Sequence, residues 1–177
     1  MNEYKLPAVL ENIVQADREP DLVFSKLLPA LCEVLECDRT FLYLRDPHTK
    51  MGRTPYCWRR NPECPDVSTA EWEKEPDSLP KEDPLFAAAL RTEESIFVED
   101  VETAPPEVVN RDFEAENFGH RALIHAHLCE DGMLWGVLQP CIFGQPRVWG
   151  DRDRFIIDRV VEAITPLAAA YVKSSEI

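Results

Sequence analysis

Residues Arg121 to Trp149 read RALIHAHLCEDGMLWGVLQPCIFGQPRVW, and their reading decides the fold. Two apolar runs, Ala122–Leu128 and Met133–Leu138, flank Glu130-Asp131-Gly132. Asp-Gly is a pair that accepts the left-handed backbone of a tight hairpin turn, so the runs read as neighbouring antiparallel strands. His125 and His127 stand two apart on the first strand and therefore share a face with Leu123 and Cys129.

Working outward, Asp151 or Asp153 opens a helix over 151–173 in which Ile156, Val160, Ile164, Leu167 and Tyr171 recur every three or four residues. At the other end, Leu6, Val9, Leu10, Ile13 and Val14 give one helix. Leu22, Phe24, Leu27, Leu28, Leu31, Cys32 and Leu35 give another, so 1–36 is helical, with Asp21 placed to cap the second helix and Pro29 expected to kink or locally break it. Thr40–Arg45 is a strand. Residues 53–60 form a second strand, interrupted or at an edge because Pro55 lacks a ladder donor. Residues 61–84 carry five prolines among acidic residues, with Trp72 and Leu79 as the sizeable apolar side chains, and read as a long loop able to act as a lid. Pro84–Leu90 is a short helix capped by Asp83, Ser95–Glu99 a strand, and Glu107–Asn117 a helix ended by Phe118-Gly119.

This order predicts a single α+β domain over 1–177 with a central antiparallel sheet. The N- and C-terminal helices lie on one face, and loops and short helices form a pocket on the other. The end helices carry more apolar surface than one sheet face needs, which predicts a homodimer through a helical bundle.

Composition narrows the function classes. The chain has 177 residues, 45% of them hydrophobic, and no apolar run long enough to span a bilayer, so membrane insertion is not expected. Met1 to Lys5 lacks the order of a signal peptide, which points to the cytoplasm. Nineteen Lys and Arg against 33 Asp and Glu give a net charge of −14, which repels phosphate backbones and excludes nucleic acid as the expected partner. The six cysteines form no C-x-x-C pair and are expected to be reduced.

The whole chain resembles a GAF domain, and Asp83 to Trp149 is similar to the bilin-binding GAF domains of cyanobacteriochromes and phytochromes. Leu134-Trp135-Gly136-Val137-Leu138, followed by Pro146-Arg147-Val148-Trp149, matches that family's L-W-G-L-L and P-R-x-W. Phe118-Gly119-His120-Arg121-Ala122 matches the entry to the preceding strand, and Asp83-Pro84-Leu85-Phe86 a D-x-C-F tetrad. In that register the chromophore-linking cysteine falls on Asn110 and its histidine neighbour on Arg111. The tetrad cysteine falls on Leu85, and the histidine after the last strand on Cys141. The resemblance therefore implies a cyanobacterial-type sensory module with no covalent bilin.

Asp83, Phe86, Arg111, His120, His125, His127, Cys141 and Trp58 are the candidates for lining a ligand pocket. His125, His127 and Cys141 could also meet at a metal, but no spaced motif supplies four ligands, and hydrogen-bonded histidines are the commoner outcome. Cys57 and Cys64 raise a thiol redox alternative, since free methionine-R-sulfoxide reductase is a GAF protein of similar length. Its G-x-G-V-C-G and C-D segments are not found here, and unreactive thiols are favoured. Arg59, Arg60, Arg111 and Arg121 could hold an anion or pair on the surface. The acidic run Glu71 to Asp83 reads as a solvated loop face. The expected function is a non-catalytic regulatory binding module without a bound cofactor, working through a small ligand or an unknown protein partner. Noncovalent binding of a bilin or another flat cofactor is the alternative.

Overall fold

In the computed structural model, which describes residues 3–177, the chain runs α1 (Ala8–Ala16), α2 (Pro20–Leu35), β1 (Arg39–Arg45), β2 (Met51–Arg59), β3 (Glu73–Lys74), α3 (Leu79–Glu82), α4 (Pro84–Leu90), β4 (Ile96–Val98), α5 (Arg111–Asn117), β5 (Ala122–Glu130), β6 (Met133–Ile142) and α6 (Asp151–Ser174). Met1 and Asn2, on which the reading of the leader partly rests, lie outside the described residues. The strands form one sheet in the order β3-β2-β1-β6-β5-β4, every neighbouring pair antiparallel. The expected α+β architecture is the one found.

The hairpin at its centre closes as Asp131-Gly132 requires. Both residues have positive φ, 54° and 73°, and Glu130 faces Met133 across the turn. That geometry matches the twist of the strands it joins. From β5, Ala122, Ile124, Ala126 and Leu128 point to one face and enter the main core with Ile156, Val160 and Ile164 of α6 and Phe24, Leu28 and Leu31 of α2. Each such leucine or phenylalanine, fully buried, contributes roughly 1.5–3 kcal/mol. Leu123 enters a separate cluster on the opposite face, as alternation demands.

Several local expectations are corrected. α2 runs unbroken through Pro29, and α6 likewise contains Pro166. The carbonyl each proline frees belongs to an exposed residue, Ser25 or Glu162, so solvent can reach it in place of the lost donor. Asp21 does not cap α2. The helix begins at Pro20, whose fixed φ suits the first helical position, and Asp17 instead accepts from the Arg18 and Glu19 amides. The helix expected from Glu107 starts only at Arg111, where the Asn110 side chain accepts from the Phe113 amide.

β2 carries an irregularity where Leu42 faces Tyr56 but Leu44 faces Arg53, and Pro55 falls inside it, so its missing N–H leaves no ladder gap. The apolar stripe of α6 is taken up within the chain, since Ile156, Val160 and Ile164 are buried. Among the large apolar side chains of the terminal helices, Val9 and Leu22 are the exposed ones, at 50% and 47%, while Ile13, Val14, Phe155, Val161, Leu167 and Tyr171 are partly buried. Among the described residues, no helix is long and apolar enough to cross a membrane.

Candidate functional site

Opposite α2 and α6, the sheet forms the floor of a cavity of about 330 Å³. Phe41 and Tyr43 of β1, Val137 and Gln139 of β6 and His125 of β5 face it. Asp83 and Phe86 at the start of α4 form one wall, and Phe113, Asn117 and Phe118 of α5 another. The segment from Glu73 to Leu79 roofs it.

The roof is fastened by a buried ion pair. Glu75 takes Nε and the terminal nitrogen of Arg45 at 2.9 and 2.8 Å, and the Tyr43 hydroxyl donates to it at 2.5 Å. The two charged side chains are only 6% and 4% exposed. Arg45 also donates to the Leu134 carbonyl, so its guanidinium bridges the roof and the central strand β6. The acidic run is thus not a uniformly solvated face, because Glu75 and Asp83 are both buried.

Asp83 caps α4 by accepting from the Leu85 and Phe86 amides, with Pro84 at the first helical position. Burial pushes its carboxyl up to about 7, Glu114 adds to the shift, and the two amides pull it back. The folded state therefore holds a proton that the unfolded chain releases at a lower pH. Stability falls as pH rises from the ordinary carboxylate range through about 7. Asparagine caps as well as aspartate and does not titrate. The stability of Asp83→Asn relative to the native protein, from urea unfolding, is expected to rise by about 3 kcal/mol between pH 5 and pH 8. A difference that stays constant over that range would show that Asp83 is not held protonated.

Behind Phe118 lies a second polar cluster. The Phe118 ring stacks on Phe41 at 5.6 Å and on His120 at 5.4 Å. His120 Nε2 meets Glu114 Oε2 at 2.5 Å, while its Nδ1 lies 3.4 Å from an Arg39 terminal nitrogen and 3.2 Å from Cys141 Sγ. Arg39 is fully buried between the Phe41 and Phe143 rings and donates to the Pro65 and Phe118 carbonyls. Burial lowers His120 to about 3 and raises Glu114 to about 8, with Arg39 lowering both. The Cys141 thiol is pushed up to about 12, again by burial first. The cluster joins the 61–84 segment, α5 and β6, and its thiol is held unreactive.

The family description "GAF domain" matches residues 19–165 of the sequence. This chain is a GAF domain. The GAF domain of an Acinetobacter phosphoenolpyruvate-protein phosphotransferase superposes with a TM-score of 0.69 at 14% identity, covering 96% of this chain and 95% of that one. The phycoerythrobilin-bound GAF domain of a cyanobacterial phytochrome gives 0.70 at 14%, covering 99% and 100%. The GAF domain of a phosphoenolpyruvate-protein phosphotransferase from Coxiella burnetii gives 0.65 at 18%, covering 93% and 94%. At these identities the likeness is one of fold. No curated protein matches the sequence.

Within this GAF domain the sequence candidates separate. Asp83, Phe86 and His125 line the cavity. His127 sits behind His125, its Nε2 2.8 Å from His125 Nδ1. His120 and Cys141 belong to the Arg39 cluster, screened from the cavity by Phe118. Trp58 is a correction, since it packs against the main core on the helix-covered side. Arg111 is another: it is exposed at the start of α5 and does not line the cavity. Arg59, Arg60 and Arg121 are engaged, the first two by carbonyls and Arg121 by Asp100 and Glu102. Among the described residues no cluster of metal-ligating side chains occurs, and His125 and His127 bond to each other instead. Tyr43, Glu75, Gln139, Arg39 and Glu114 were not singled out in the sequence. Gln139 alone offered a signal, as a polar residue inside an apolar strand.

Proposed function

We propose that this GAF domain is a regulatory binding module that takes a small, flat ligand noncovalently in the cavity between sheet and roof, without performing chemistry on it. The observation that carries this reading is the lining itself. The rings of Phe41, Tyr43, Phe86, Phe113 and Phe118 give the cavity its apolar surface, and polar groups including Asp83, Asn117, His125, Gln139, Arg53 and Glu75 stand among them. Ligand sites are typically built this way, and about 330 Å³ lies at the small end of their range, roughly 300–1,000 Å³. No cysteine stands among the lining residues, and Asn110, at the family's linking position, is spent on the Phe113 amide and the Glu82 carbonyl. A noncovalent bilin comes second, because four linked pyrrole rings need a larger space and an opened roof. The thiol redox reading has less support, since burial raises both Cys57 and Cys64 and keeps them protonated.

The test is amide NMR with one- and two-ring aromatic fragments. Saturable shifts are expected at β1, β6 and α4, and they should vanish in Leu79→Trp, which fills the cavity from the roof with the fold checked by circular dichroism. Shifts confined to α1 and α6, or persisting in Leu79→Trp, would remove the cavity as the binding site.

A further inference from the structure

The floor of the cavity contains a histidine whose protonation pattern is set from outside it. α4 stops at Arg91, and Thr92, at φ 58°, turns the chain so that the Glu93 amide bonds back to the Ala88 carbonyl. This presents the Glu93 carbonyl to His127, whose Nδ1 lies 2.7 Å away. A carbonyl only accepts, so His127 Nδ1 carries the proton and its Nε2 is bare. His127 Nε2 in turn lies 2.8 Å from His125 Nδ1, with the rings edge-on at 82°. That contact needs one proton, and with Nε2 bare it sits on His125 Nδ1. His125 Nε2 then presents a lone pair. It has no hydrogen-bond partner among the described residues, and the His125 ring lines the cavity. This proton pattern holds while both rings are neutral. Burial lowers both; His127 and His120 further disfavour a charge on His125, while the Glu93 carbonyl and carboxylate pull His127 part of the way back up.

We propose that the Glu93 carbonyl, His127 and His125 form a positioning relay that fixes His125 Nε2 as a hydrogen-bond acceptor in the cavity floor. The site thereby selects flat aromatic ligands that carry an N–H or O–H donor over isosteres that carry none. This rests on the reading of the cavity as a ligand site. A donor-bearing ring pairs with the buried acceptor, whereas an isostere without the donor leaves it desolvated and unpaired. His127 does not line the cavity and acts only through His125.

The test has two arms. Long-range ¹H–¹⁵N NMR on histidine-labelled native protein is expected to show both rings as Nδ1–H tautomers with bare Nε2. Indole and benzothiophene, alike in shape and different in the N–H, are then titrated. Indole is expected to bind about tenfold more tightly. In His127→Phe, His125 loses its acceptor and is free to protonate Nε2, so the preference for indole disappears. A protonated His125 Nε2 in the native protein would overturn the relay, and this arm needs no variant to fold. Equal affinities for the two probes would overturn the selectivity while leaving the ligand site standing. Binding of neither probe, with both Nδ1–H tautomers in place, would remove the ligand site and the selectivity drawn from it.

Discussion

Truncating Glu75 to alanine is expected to lower stability by about 3–5 kcal/mol, because it strips a buried guanidinium of its counter-charge. Arg45 would keep only its bond to the Leu134 carbonyl, and the Tyr43 hydroxyl would lose its acceptor. The damage comes from the charge left behind rather than from the pair itself. The double variant Arg45→Met, Glu75→Leu should therefore recover most of the loss, since apolar residues of similar volume often replace a buried pair at little cost. Urea unfolding measures both. A second readout is proteolysis, as Glu75→Ala should expose the stretch between Pro62 and Leu79 to cleavage under conditions where the core persists. A loss below about 1 kcal/mol would place the pair with surface ion pairs and deny it the fastening of the roof.

Gly136→Ala should be at least as damaging, for a different reason. Gly136 faces Leu44 in the central pairing of β1 with β6. A Cβ there would stand 2.5 Å from the Tyr43 carbonyl oxygen and 3.0 Å from a Leu44 methyl. The nearer atom is backbone, held by the middle of the sheet, and cannot swing aside as a side-chain tip would. The expected loss is about 3 kcal/mol or more, with soluble protein falling accordingly. Removing the methyl contact by Leu44→Ala should not rescue the variant, because the carbonyl clash remains. If Gly136→Ala unfolds at the native urea midpoint, the close approach of β1 and β6 at this point is wrong.

These two sites mark the limits of what the sequence discloses. Asp131-Gly132, the Asp83-Pro84 cap and the stripe of α6 are local signals, complete within a few residues, and each is found where it was expected. Glu75 is unreadable because its partner Arg45 stands 30 positions away and its own neighbours, Glu73, Lys74, Pro76 and Asp77, are exposed. Arg39 and Glu114 are hidden in the same way, joined only when α5 folds over β1 and β6. The face of Trp58 is not legible because β2 has no apolar-polar alternation to reveal its two faces, and the irregularity at Pro55 resets the register just before it. The candidate site was therefore half legible. The hairpin put His125 and His127 on one face, but which of them meets the cavity depends on the turn at Thr92, far along the chain.

The sheet also ends abruptly on both sides, in β3 with two residues and β4 with three. Strands that short offer an incoming peptide few free amides and carbonyls of their own, and beyond β3 the edge passes to residues 53–59 of β2. On the proposed reading, a protein sensing the cavity would meet little strand to extend at β3 or β4 and would dock there through side chains of helices and loops.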